Sequence, residues 1–293
     1  IGLTKDGSVE RLRLEVSAAT GTLHLPEAGI GGLAFRQLAG QVELEDDGSW
    51  FGNAEFLPKD SDNSGRLTLA VTGGRVGGRS DVVLRLDGVS PSALAGAFPD
   101  GGLIALADVP LTGTVTASFA EDGLFEDIGF DLSGGAGRFQ LPLPASQPKA
   151  VSAMLLRGHV AGTFDRIDLE AFSVEFPDNT FIPFPGSVGD AVPLRSLSLS
   201  GSYDAVEDKL VLVEMEADLG GPSAEISGMA SGLGGSADIF FNGVLLNFPI
   251  DDLEQYWPID WGKDARAWVD RHMSVGILSR VTAKVHVRGN DGG

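Results

Sequence analysis

Four histidines and a large surplus of carboxylates are the residues best equipped for chemistry, and their spacing argues against it. His24, His159, His272 and His286 stand far apart, none with a partner at the short intervals a metal site uses. "DSDNSG" at 60–65 imitates the first half of a calcium loop. The position that needs a closing bidentate glutamate is Val71, and the flanks read as strand. "GGRVGG" (73–78) and "GLGG" (232–235) are glycine-rich but precede no helical pattern, so neither forms a phosphate cradle at a helix N-terminus. With no cysteine there is no thiolate nucleophile, disulfide or thiolate metal site, and no G-x-S-x-G occurs. The 41 acidic residues sit mostly on alternating solvated faces and in turns. A glycosidase pair among them is a matter of distance in space, which sequence does not give. The chain reads as a non-enzyme with no catalytic residues, no metal and no cofactor.

Composition narrows the partners. A net charge of −20 repels a polyanion, so nucleic acid is not an expected partner. The same charge opposes broad adsorption to an anionic membrane and leaves room only for a local patch. No run of 18 apolar residues is free of charges and breakers; "ALAGAFPDGGLIALADVPL" is interrupted by Pro99, Asp100, two glycines and Asp108. The start at Ile1 and the "GNDGG" ending read as an excised piece of a longer chain, with any anchor outside it.

The elements that would position a site are strands. "LRLEVSA" sets Leu12, Leu14, Val16 and Ala18 against Arg13, Glu15 and Ser17. "VTASF" sets Val115, Ala117 and Phe119 against Thr116 and Ser118, and "SLSLSGSY" sets Leu197, Leu199 and Tyr203 against four serines. "VEMEADL" groups Val213, Met215, Ala217 and Leu219, with Val211 in the same phase, and "VTAKVHVR" groups Val281, Ala283, Val285 and Val287. One-sided alternation of this kind predicts antiparallel sheet with one apolar and one wet face. "EDDGS", "KDSDNSG", "AEDG", "FPDN", "DAVEDK" and "LGGPS" supply the turns. Glycines at 113, 158, 201, 243 and 289 suggest a repeat of about 42–46 residues, and "NTFIPFPGSVGDAVP" reads as an irregular excursion. The apolar face needs a cover: a second sheet, closure into a barrel, or an apolar ligand in an open groove. Alternation alone does not choose among them.

One stretch breaks the pattern. "PIDDLEQYW" predicts a short helical turn, and Pro258 interrupts it. From about Asp260 as N-cap, "DWGKDARAWVDRHMSVG" predicts a helix with Ala265, Trp268, Val269, His272 and Met273 on one face, stopping at Gly276. Trp257, Trp261 and Trp268 are expected to cap or flank the sheet, and the helix to act as a packed lid or edge cover. Arg266 is expected to make a structural contact rather than hold a phosphate.

Tyr256, Trp257, Pro258, Ala265, Arg266, Trp268, Val269 and Gly276, followed by a new strand, resemble a motif of the AsmA-like superfamily, specifically YhdP-like proteins of Gram-negative bacteria. The upstream "LSLSGSYDAVEDKLVLVEMEADLGGPSAEISG" resembles the hairpin that precedes the motif. The likeness covers about residues 194–289, and the remainder matches only in style. It implies a mainly β fold, a long twisted antiparallel sheet of hairpin repeats curled into an open apolar groove, with a short helical insertion near the C-terminus. It further implies a segment of a bridge-like lipid transfer protein in the periplasm, anchored in the inner membrane outside this piece. Its partner would be phospholipid moving between inner and outer membrane, as outer membrane biogenesis requires. The expected groove lining is Leu12, Leu14, Val16, Val115, Phe119, Leu197, Leu199, Val211, Val213, Met215, Leu219, Val281, Val285 and Val287. The expected organisation is an N-terminal hairpin region 1–110, groove repeats 111–250, the helical insertion 251–276 and a strand 277–293 opening the next repeat. The alternative is a non-conducting scaffold β-protein of envelope assembly, with a carbohydrate-binding or adhesin-like domain third.

Overall fold

Alternation of apolar and polar residues leaves each strand with one face to hide and one to wet, and antiparallel neighbours satisfy the backbone. The computed structural model describes residues 2–3, 9–25, 30–45, 49–59, 65–73, 79–91, 107–120, 124–140, 147–162, 165–183, 191–257 and 262–289. The chain is mainly β. Its principal sheet is long, antiparallel and not closed into a barrel, and a short helix lies near the C-terminus. Two compact units make up the chain: 1–139 with 155–165, and 140–154 with 166–293.

The first unit contains β1 (Gly2–Leu3), β2 (Val9–Ala18), β3 (Gly21–Leu25), β4 (Ile30–Glu45), β5 (Trp50–Pro58), β6 (Arg66–Gly73) and β7 (Ser80–Val89). It continues through β8 (Ala107–Asp108), β9 (Leu111–Phe119), β10 (Phe125–Gly134) and β11 (Gly137–Phe139). The sixteen residues of β4 pair with β2 through 38–45 and with β3 through 30–35. From β4 the order runs β5, β6, β7, β9, β10, while β11 pairs separately with β8.

After β12 (Lys149–Val151) and β13 (Ala153–Ala161), the second unit carries β14 (Arg166–Glu175), β15 (Phe181–Pro183), β16 (Ala191–Pro193) and β17 (Ser196–Asp204). It ends with β18 (Lys209–Asp218), β19 (Ser223–Ser231), β20 (Asp238–Pro249) and β21 (Ile277–Arg288). The order is β14, β17, β18, β19, β20, β21. The stretch read as an irregular excursion contributes β15 and β16, which pair as a two-stranded ladder. Between β20 and β21 come a 3-10 turn (Ile250–Asp252), α1 (Leu253–Tyr256) and α2 (Lys263–His272).

Two departures from simple alternation matter. In β18, Leu212 pairs with Gly201 and Gly228, while Glu214 pairs with Ser200 and Met215 with Ile226. Val213 is therefore one extra residue against both neighbours, a β-bulge that inverts the phase of the strand. In β14 the register slips likewise between Leu169 and Phe172. Near this level Gly201 and Gly228 sit so close to the adjacent strands that a Cβ would collide with the carbonyl oxygens of Val211 and Phe240. Only glycine fits such an approach.

α2 begins at Lys263 after Gly262, which takes the left-handed conformation (φ 54), and ends at His272. Asp260, the expected N-cap, lies outside the described residues. Met273 is extended and follows the helix, and Gly276 comes later, at φ 139. No residue of α2 is buried. The packed lid expected here is instead the shorter upstream element, where Ile250 and Leu253 are buried.

Candidate functional site

Residues opposite one another across an antiparallel pair share a face. In the first unit this rule joins Leu14, Val42, Gly52, Val71, Val82, Ala117 and Ile128 into one row crossing seven strands. Beside it runs Val16, Gly40, Ala54, Leu69, Leu84, Val115 and Phe130. A third row is Ala18, Leu38, Phe56, Leu67, Leu86, Gly113 and Leu132. A fourth, on the opposite flank, passes through Leu12, Leu44, Trp50, Gly73, Ser80 and Phe119. These rows contain no carboxylate and no cation.

The other face is polar. Arg11 pairs with Glu45 at 2.8 Å, Arg13 with Glu43 at 3.2 Å and Arg66 with Glu55 at 3.2 Å. Arg79 donates to Ser118 at 2.6 Å. The more exposed pairs, Arg11–Glu45 and Arg66–Glu55, contribute about 0–1 kcal/mol each, whereas Glu43 and Ser118 are themselves buried, with Arg13 and Arg79 supplying them partners.

The apolar face is covered at one end only. Phe56, Leu67, Leu86 and Leu132, all in the third row, are buried. Toward the opposite flank Leu14 is 54 % exposed and Val16 58 %, and Val42 and Leu44 are also exposed. Four adjacent aliphatic side chains facing solvent form a patch that folding alone does not explain.

The second unit repeats the arrangement. Its rows are Val174, Leu197, Ala217, Ala224, Leu245, Val281; then Phe172, Leu199, Met215, Ile226, Gly243, Ala283. Next come Leu169, Gly201, Leu212, Gly228, Phe241, Val285, and last Ile167, Tyr203, Leu210, Ala230, Ile239, Val287. The first row lies at the covered end. Val174 and Ala217 are buried there, as are Phe176, Val192, Leu194, Phe248, Ile250 and Leu253 from the strand ends and the 3-10/α1 segment. Phe248, the largest fully buried side chain, meets Tyr256 edge-on at 6.1 Å. Tyr256 Oη donates to Leu219 O at 3.2 Å, and Ile250 N donates to Gly276 O at 2.9 Å. Burial, then the charges of Asp252 and Asp218, raise the Tyr256 pKa above the ordinary phenol value, an effect that Arg195 partly opposes. In the last two rows Ile167, Leu210, Val285 and Val287 are exposed.

Of the residues expected to line a groove, Leu12, Leu14, Val16, Val115 and Phe119 fall on the apolar face of the first unit. Leu197, Leu199, Met215, Val281, Val285 and Val287 fall on that of the second. Leu219 lies just beyond β18 and accepts the Tyr256 bond. Val211 does not join them: it faces Ser202 and Met229 on the polar side. Val213 is the bulge residue, 63 % exposed. Leu210 and Leu212 take the places that alternation gave to these two valines. The signal for the exchange was in "LVLV", a run apolar in both phases, where a change of phase costs nothing in burial.

Among the motif residues, Arg266 donates from Nε to Trp257 O at 3.2 Å, tying α2 to the end of α1. Trp268 is 55 % exposed and stacks on His272, whose Nδ1 donates to Trp268 O at 2.7 Å. Pro258 and Trp261 lie outside the described residues, as do positions 60–64, most of the calcium-like stretch, and the side chain of His24. His286 Nε2 lies 2.6 Å from Asp238 Oδ1. Among the described residues no three His, Cys, Asp or Glu are grouped to hold a metal ion, and no helix is long and apolar enough to cross a membrane. Compared with known protein families, curated proteins and solved structures, the chain matches none.

Proposed function

We propose that this chain is a segment of a periplasmic, bridge-like lipid transfer protein that shields phospholipid acyl chains on its apolar face, as in the AsmA-like superfamily. The observation that carries the reading is the run of uncharged apolar rows across each unit, ending in aliphatic side chains left in solvent. Such a strip suits a ligand that needs cover from water and no specific polar contact. Each acyl methylene removed from water contributes about 0.8 kcal/mol, so a chain lying along several rows is held by area alone while its head group stays wet. Movement down a lipid gradient then needs a path and no catalytic residue. In this reading the face curls into an open groove, the full-length protein is anchored in the inner membrane, and the traffic joins inner and outer membranes.

A second reading, a non-conducting envelope scaffold, draws on the opposite end of the same rows. There Phe56, Leu67, Val174 and Phe248 are covered by the chain itself. Native mass spectrometry of the purified chain, with solvent extraction of what co-purifies, separates the two. Phospholipid at reproducible stoichiometry supports the conduit. A clean apo mass with no uptake of a fluorescent phospholipid refutes it and favours the scaffold.

A further inference from the structure

Strands β18 to β20 carry exposed apolar side chains on the face that alternation should leave wet. Val211 pairs with Met229, and Met229 with Phe240, in a row that runs from Ser202 to His286 on the polar face. The bulge adds Val213, which with Glu214 stands against Ser200 on one side and Ser227 on the other. Val213 is 63 % exposed and Met229 49 %, and Phe240 is exposed as well. The rows of the apolar face pass through Leu212, Met215 and Ile226, on the other side of the same strands. Neither folding nor a ligand on that face accounts for this patch. A bulge interrupts the ladder, and what this one adds is a further valine in solvent.

Beside the patch lies negative charge that nothing neutralises. Glu214 follows Val213 on β18, and Glu216 stands directly opposite Glu225 of β19. Like charges so placed repel. Glu214 and Glu216 are exposed. Among the described residues none of the three carboxylates has an ion-pair or hydrogen-bond partner. β17 sets only Ser198 and Ser200 against them. Of the lysines on that face, Lys209 stands opposite Asp204 and Lys284 opposite Asn242.

We infer that this surface docks an amphipathic helix of another protein, one whose apolar turns are followed by lysine or arginine on the same face. A helical turn rises about 5.4 Å, close to the roughly 6–7 Å between same-face residues of a strand. A helix laid along β18 therefore sets its apolar turns over Val211, Val213 and Met229 and its next turn over Glu214 and Glu216. Cations there relieve the repulsion between Glu216 and Glu225, which the free protein bears. The same charges exclude other occupants. A second copy would bring carboxylate to carboxylate, and nucleic acid or an anionic membrane is repelled. Four apolar side chains make a small contact, so the complex is weak and reversible. The inference concerns the polar face and does not depend on lipid.

The test uses the whole chain, without lipid, carrying carbon-13 methyl-labelled methionine. Met229 lies on the polar face and Met215 on the apolar one, so each methyl signal reports one face, assigned by Met229→Leu and Met215→Leu. The probe is the helical peptide Ala-Leu-Gln-Ala-Leu-Leu-Gln-Ala-Leu-Gln-Ala-Lys-Lys-Gln-Ala-Lys. Its controls carry glutamate for every lysine, or serine for every leucine. The basic peptide is expected to shift the Met229 signal and leave Met215 in place. By fluorescence anisotropy it should bind roughly tenfold tighter than either control and weaken with salt. The variant E214K/E216K/E225K should reverse the preference between basic and acidic peptides while its far-UV spectrum stays unchanged. Equal binding of those two peptides to the wild type, no binding, or a shift at Met215 instead of Met229 overturns the inference. So does a Met229 signal that moves with protein concentration alone, which would make a second copy the occupant. A Met229 shift with phosphatidylcholine vesicles but not with the basic peptide would assign the patch to a membrane surface and overturn it equally. Lipid on the apolar face is read at Met215, so the failure of either reading leaves the other standing.

Discussion

Replacing Leu14 and Val16 together by aspartate tests the open end of the apolar face most directly. Full burial of such a side chain stabilises by about 1.5–3 kcal/mol. Both residues are more than half exposed, so folding draws roughly 1 kcal/mol from each. Adding the poor strand preference of aspartate, the double variant should lose about 2–3 kcal/mol, a fall in Tm of roughly 4–12 °C at about 2–4 °C per kcal/mol. The effect on lipid should be larger. If two carboxylates strip about four methylenes of cover, at about 0.8 kcal/mol each, binding weakens by about 3 kcal/mol, or roughly a hundredfold. The paired assay is a thermal melt followed by circular dichroism and titration with a fluorescent phospholipid. A folded variant that has lost lipid uptake is the expected result. A variant that fails to fold would place these side chains in a closed core. One that folds and takes up lipid normally would remove the apolar strip from the binding path. Either outcome refutes the reasoning.

Other predictions follow from the covered end and the close strand approaches. Phe248→Ala should cost about 3–5 kcal/mol in urea denaturation, because a fully buried ring leaves a cavity. Gly228→Ala should destabilise by about 1–3 kcal/mol and expose β19 and β20 to hydrogen exchange, since its Cβ would strike the Phe240 carbonyl. Tyr256→Phe should cost about 0.5–1.5 kcal/mol at neutral pH through the lost bond to Leu219 O. The raised phenol pKa also sets an alkaline limit. Stability from neutral Tyr256 is complete below the unfolded value of about 10 and is lost as pH rises through the folded one. Melts across pH 9–12 should show this loss in the wild type and less of it in the phenylalanine variant.

The strands were legible because a period of two over five to eight residues admits few other structures. The runs around Leu12, Val115, Leu197 and Val281 all form strands, with cross-strand partners of like polarity. What alternation does not carry is an inserted residue. The bulge at Val213 sits where both phases are apolar, so composition gives no penalty for either reading. The helix shows a different gap. Helical spacing identified a shared face at Trp268 and Val269, but spacing says nothing about whether a partner covers that face, and α2 buries none of its residues. The real cover is the brief Ile250–Tyr256 segment: "PIDDLEQYW" announced its helical turn, but so short a turn has no periodic face to mark Ile250 and Leu253 as the buried residues. The evenly spaced glycines do not share one role. Gly201 is pressed against a neighbouring strand, whereas Gly243 has open space where a Cβ would go.

Strand order has a consequence for how the molecule assembles. Within β4–β7 and within β17–β20, each strand pairs with the one that follows it in the chain. Contacts of such short loop length close quickly, hairpin by hairpin, with little entropy lost at each step. Stability in such an array is close to a sum of nearest-neighbour terms, so protection against exchange should be highest in β5, β6, β18 and β19 and should fade toward the outer strands. A strand lost from an edge would then shorten the array without dissolving it. That tolerance lets evolution lengthen or trim such a protein one hairpin at a time.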